Sequence, residues 1–132
     1  MKNPEKKLIK AAAAVRENAY APFSNFGVGS AIKTDDGEIF SGCNVESASY
    51  GLTVCAERVA ICKAISEGRR KITHIAVVAD SEELTPPCGA CRQVIWEFGG
   101  NIPVIMANLK GKVEIVQMKD LLPKAFDINF LK

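Results

Sequence analysis

Three cysteines and one glutamate restrict this chain more than any other feature. They fall in two short segments, Cys55-Ala56-Glu57-Arg58 and Pro87-Cys88-Gly89-Ala90-Cys91-Arg92-Gln93. Each segment opens a helix on the reading given below. Helix N-termini carry partial positive charge and unpaired N–H groups, which favour thiolate over thiol. Cys88 and Cys91 stand at i and i+3, so their sulfurs share one face of a first turn and can bind one metal ion. Cys55 supplies a third sulfur from a different helix. Three protein ligands leave the fourth tetrahedral position open for water, as a catalytic zinc requires. Glu57 follows Cys55 by two residues. It is a carboxylate beside that water, placed to take a proton and pass it on.

Charge counting adds a fourth residue. Three thiolates on a divalent cation leave the cluster at about −1, which blunts its Lewis acidity. Arg58 is expected to donate hydrogen bonds to the ligand sulfurs and offset that charge. A competing reading is a closed, inert four-cysteine site completed by Cys43. It leaves Glu57 without a role. Cys43 is expected to be a small buried residue instead, and Cys62 to pack in the core. The lone histidine, His74, heads a buried strand and reads as structural.

The remaining composition fits one domain over residues 1–132, long enough to bury a core without staples. An odd count of five cysteines favours metal binding or catalysis over a disulfide framework. A net charge of +2 is too small to point to nucleic acid or an anionic membrane. The basic runs Lys6-Lys7 and Arg69-Arg70-Lys71 read as solvated faces. No apolar stretch is long enough to span a bilayer, and the first residues lack a signal-peptide core. The expectation is a cytoplasmic protein.

Periodicity and punctuation give the order αββαβαββα. Asn3 is expected to cap a first helix with Pro4 at its first position, and Pro22 to end it. Residues 27–33 and 38–43 read as strands joined by an Asp35-Asp36-Gly37 hairpin. A helix follows over 54–67, then a buried strand over 74–79. A third helix near 88–98 leads to a second buried strand over 102–107. A turn at Gly111, a strand over 113–117 and a short helix around 119–122 complete the chain. Two buried strands joined by a helix imply a parallel pair, and the hairpins add antiparallel edges. The fold class is therefore α/β: three layers, α/β/α, around a central mixed five-stranded sheet.

Cysteine, one residue, glutamate, then Pro-Cys-x-x-Cys is the three-cysteine form of the zinc nucleobase deaminase arrangement. The chain resembles the cytidine deaminase family, in its short, homotetrameric, three-cysteine branch. The likeness covers nearly the whole length. Tyr20-Ala21-Pro22-Phe23-Ser24-Asn25-Phe26-Gly27-Val28-Gly29 is similar to the family's N-terminal segment. Gly42-Cys43-Asn44-Val45-Glu46-Ser47-Ala48-Ser49-Tyr50 is similar to its ribose-recognition loop. Leu121-Leu122-Pro123-Lys124-Ala125-Phe126 is similar to its C-terminal signature.

The resemblance implies one zinc ion per chain, held by Cys55, Cys88 and Cys91, with Glu57 catalytic. It implies hydrolytic deamination of cytidine and deoxycytidine to uridine and deoxyuridine, with release of ammonia, in pyrimidine salvage. Asn44 and Glu46 would hydrogen-bond the ribose hydroxyls; two residues apart in an extended loop, they point the same way. Ala48 lies in the same substrate-binding loop. Phe23 would pack on the pyrimidine, while Tyr50 and Phe126 would reach a neighbouring subunit's site in a homotetramer. Gln93, with Arg58, would support the zinc cluster from behind its ligands. Neither nucleic acid nor membrane is an expected partner.

Three rival readings stand beside this one. The substrate could be another amino-heterocycle, such as a free base or a nucleotide. A polynucleotide editor would need a basic channel. A zinc-stabilised interaction module would turn nothing over.

Overall fold

The computed structural model describes residues 1–131. Helix α1 spans Asn3–Arg16, followed by strands β1 (Val28–Thr34) and β2 (Ile39–Cys43). Helix α2 spans Ala56–Ser66, β3 Ile72–Ala79 and α3 Gly89–Gly99. Strands β4 (Pro103–Asn108) and β5 (Val113–Gln117) and a one-turn helix α4 (Met118–Leu121) follow. Two short 3₁₀ turns, Tyr50–Leu52 and Ile128–Leu131, were not foreseen from sequence.

The strands form one sheet in the order β2-β1-β3-β4-β5. Only β3 and β4 run parallel, and α3 makes the crossover between them. The other pairings are antiparallel. The Asp35-Asp36-Gly37 hairpin joins β1 to β2 as expected, with Gly37 in the left-handed region at φ 89°.

Strand alternation sorts the core into two layers. On one face Ala31, Ala76, Val78, Ile105 and Ala107 pack against Leu8 and Ala12 of α1. On the other face Ile32, Ile75, Val104 and Met106 pack against Ala60, Ile61 and Ala64 of α2 and Ile95 of α3. This is the three-layer mixed-sheet architecture read from the sequence.

Several local readings need correction. Lys2, not Asn3, is the N-cap of α1, and no side chain caps it. Pro4 lacks only an N–H that the first turn leaves unpaired anyway, so the helix begins a residue earlier than expected. Helix α1 also stops at Arg16 rather than running to Pro22. Tertiary pairing draws the chain away: Tyr20 N–H donates to Asn44 O at 3.0 Å, and Glu46 N–H donates to Tyr20 O at 2.8 Å. Cys62 is exposed, not in the core. The buried stripe of α2 runs through Ala56, Glu57, Ala60, Ile61 and Ala64, which turns Cys62 outward. Cys43 is half-buried and pairs with Gly29 across the β1–β2 ladder. His74 is half-buried, two residues inside β3, with Nδ1 2.9 Å from the Thr73 hydroxyl.

The alanine-rich face lets α1 lie close to the sheet. At Gly29 a Cβ would sit 1.9 Å from Ala12 O, against backbone that cannot swing aside. Gly29→Ala should therefore force α1 off the sheet and cost about 2–3 kcal/mol, as overpacking does. Thermal denaturation checks this: the midpoint should fall by roughly 5–12 °C, and an unchanged midpoint would contradict the close packing.

Candidate metal centre and active site

Helices α2 and α3 begin at a common place. Cys55 is the N-cap of α2 and Cys88 the N-cap of α3, both with extended backbone. Neither uses its side chain to cap the helix, so both sulfurs are free for another partner. Cys91 lies in the first turn of α3 and is buried. The Cys55 and Cys88 sulfurs are 3.7 Å apart, and those of Cys88 and Cys91 3.4 Å. All three Sγ atoms lie within 4.8 Å of one another. A tetrahedral zinc with Zn–S bonds of about 2.3 Å needs sulfur–sulfur edges of about 3.8 Å. The three residues fit that ion. Cys43 is not among them.

The sulfurs do not share charge evenly. Donation from Cys91, helped by Arg58, brings Cys55 down to about 5. The same bond to Cys55, together with burial, pushes the Cys91 thiol up. One thiolate forms readily here and discourages the next, so a cation is the natural partner for all three as thiolates. Arg58 lies beside one of the sulfurs. Its Nη2 donates to Thr53 O at 3.1 Å and lies 3.9 Å from Cys55 Sγ. Its Nε is buried without a partner.

Glu57 sits one helical step inside α2 and is 4% exposed. Burial pushes its carboxyl up to about 7, and the Cys55 thiolate pushes the same way. A carboxyl held there can both give and take a proton near neutral pH.

Glu57, Cys55 and Cys88 line a cavity of about 190 Å³ together with Val28, Asn44 and Thr85. A second cavity, of about 380 Å³, is lined by Phe23, Ser24, Glu46, Ser47, Tyr50 and Thr53. Thr53 lines both, so the two are neighbours. Phe23 and Tyr50 meet edge-on with ring centroids 6.1 Å apart.

The residues likened to the ribose loop divide between these cavities. Asn44 faces the sulfur cavity, but its amide is also spent on the backbone. Val28 N–H donates to Oδ1 and Nδ2 donates to Phe26 O, both at 2.9 Å. Glu46 lines the outer cavity. Ala48 is exposed and lines neither cavity. Gln93 donates to Phe126 O at 2.7 Å rather than to a sulfur. Phe126 is exposed, stacks on Phe130 and lines neither cavity. Sequence reading missed Thr53, which accepts from Arg58 and Ser47 and joins the two cavities. Its position two residues before Cys55 was the available signal.

Comparison with known proteins follows the same outline. Residues 2–107 match the family described as the cytidine and deoxycytidylate deaminase zinc-binding region. The chain is 51% identical to the cytidine deaminase of Sporosarcina psychrophila over 91% of its own length and 89% of the relative's. It is 42% identical to that of Mycobacterium tuberculosis over 86% and 82%. A crystal structure of cytidine deaminase from Burkholderia pseudomallei superposes with a TM-score of 0.89 at 50% identity. That match covers 96% of this chain and all of the other. Sulfur geometry, sheet order and sequence thus converge, and this chain belongs to the zinc-binding cytidine and deoxycytidylate deaminase family.

Proposed function

We propose that this protein is a zinc-dependent hydrolase that deaminates cytidine and deoxycytidine to uridine and deoxyuridine, releasing ammonia. The observation that carries it is the shared cavity: Cys55, Cys88 and buried Glu57 line the same space, and Cys91 completes the sulfur set. Cys55, Cys88 and Cys91 would hold the zinc. The bound zinc supplies Lewis acidity that makes water nucleophilic near neutral pH. Glu57 takes the proton of the attacking water and delivers it to N3 of the pyrimidine. Protonation at N3 makes C4 electrophilic, and the hydroxide left by that water adds there. Glu57 then takes the remaining proton of the hydroxyl added at C4 and hands it to the amino group; the C4–N bond breaks, ammonia leaves and the C4 carbonyl forms. Its burial keeps bulk water from competing for that proton. Arg58 offsets part of the sulfur charge. Gln93 acts at one remove, holding the Phe126 backbone against α3.

The lining supports a free nucleoside over a nucleotide. Among the described residues no lysine or arginine lines either cavity, and the outer one carries the Glu46 carboxylate. A 5′-phosphate would meet a like charge there. Asn44 and Glu46 would face the sugar, with Ala48 in the same loop. Phe23 would cover the base.

Residues 1–132 would act as one domain in the cytoplasm, in pyrimidine salvage; among the described residues no helix is long and apolar enough to cross a membrane. A homotetramer is the proposed assembly. The exposed side chains of Tyr50 and Leu52, two residues apart, and the stacked, exposed pair Phe126 and Phe130 support association, since monomers rarely leave such groups together in water. Phe126, outside its own chain's cavities, would serve a neighbour's.

Ammonia release tests the activity. Cytidine and deoxycytidine should turn over, while cytosine, cytidine monophosphate and adenosine should not. Glu57→Gln should keep its zinc and lose at least about 100-fold in kcat, the usual reach of general acid–base catalysis. Near-normal turnover in that variant would contradict the role given to Glu57. Competition with a chelator tests the cluster. Arg58→Ala should hold zinc about 10- to 100-fold more weakly, whereas Cys62→Ser should match the unaltered protein. Equal retention by the Arg58 variant would remove it from the account of the cluster's charge.

A further inference from the structure

Glu46 is more than a side chain facing the outer cavity. Its carboxylate is the hub of the turn that carries Phe23. Oε1 accepts the N–H groups of Phe23 and Ser24 at 2.9 and 3.1 Å. Oε2 accepts the Ser24 hydroxyl. The Ser24 oxygen in turn accepts Phe26 N–H at 3.1 Å. Across the turn, Asn25 N–H donates to Ala21 O, with Asn25 in the left-handed region at φ 55°. Asparagine tolerates that conformation better than most residues.

A carboxylate offers about four acceptor positions. Two backbone donors and one hydroxyl already occupy three of them. What remains for a ligand is a restricted direction rather than a freely turning group. The Ser24 hydroxyl also holds the Glu46 carboxyl below its usual range, keeping it an acceptor. The Ser24 side chain touches both parts of this arrangement: it fixes the carboxylate and closes the turn behind Phe23.

We propose that Ser24 is a positioning residue for nucleoside binding, orienting the Glu46 carboxylate toward the sugar and seating the Phe23 ring over the cavity through one hydrogen-bonded turn. This rests on the nucleoside reading above. Ser24 is exposed and stands apart from the sulfurs and from Glu57, so its loss should weaken binding without touching the chemical step.

Steady-state kinetics on the zinc-loaded protein, with thermal midpoint and zinc content measured alongside, test this. Ser24→Ala should raise KM for cytidine roughly tenfold, the effect of one hydrogen bond to a charged group, with kcat within about twofold. Ser24→Thr, which keeps the hydroxyl, should restore most of the loss. If Ser24→Ala fails to fold, Ser24→Cys, a near-isosteric weak donor, should show the same rise in KM. Unaltered protein that turns over cytidine beside an indifferent Ser24→Ala variant overturns this proposal alone. So does a loss confined to kcat, or one accompanied by loss of zinc. Unaltered protein that does not turn over cytidine overturns the nucleoside reading and this proposal with it.

Discussion

Sulfur separations of 3.7 and 3.4 Å arise because α2 and α3 start beside one another on the same face of one sheet. Two helix N-termini give partial positive charge and unpaired N–H groups at the place where thiolates must gather. The sheet makes this meeting possible. Strands β3 and β4 run parallel, so the chain must cross over between them, and α3 is that crossover. Helix α2 is clamped to the same face by Ala60, Ile61 and Ala64. At Gly42 of β2 a Cβ would fall 2.6 Å from Ala60 N, so that helix lies close too. The layer that buries the core is also the layer that aims the cysteines.

Burial then does a second task. Glu57 belongs to the buried stripe of α2, where an ionised carboxyl is costly. The same stripe that holds the helix to the sheet thereby holds the Glu57 carboxyl beside the sulfurs, pushed up to about 7 by burial, where the proposed proton transfer would need it. Stability and chemistry pull against each other at this position, as they often do where function resides. Arg58 works in the opposite sense, bringing a cation within 3.9 Å of Cys55 Sγ.

Much of this was legible from the residues because the signals are local. The i, i+3 cysteines, the hairpin at Asp35-Asp36-Gly37 and the apolar runs of β3 and β4 each announce themselves within a few positions. What escaped was set by contacts between distant segments. Helix α1 ends early because Tyr20 pairs with Asn44 and Glu46, more than twenty residues away. Cys62 stands seven residues after Cys55, a spacing that returns to roughly the same helix face. Cys55, however, is the N-cap and does not lie on the helix's buried stripe. Gln93 and Ser24 spend their polar atoms on Phe126 and Glu46, and no short-range pattern announces such bonds. Family likeness suggested that Asn44 and Glu46 matter, but not that both also hold the 20–28 segment in place.

Cys55, Cys88 and Cys91 are proposed to form an open three-sulfur zinc site, not a closed structural one. X-ray absorption at the zinc edge of the loaded protein tests it most directly. An open site shows three sulfur neighbours at about 2.3 Å and one oxygen or nitrogen neighbour at about 2.0–2.2 Å. Four sulfur neighbours, with Cys43 or Cys62 drawn in, would contradict it.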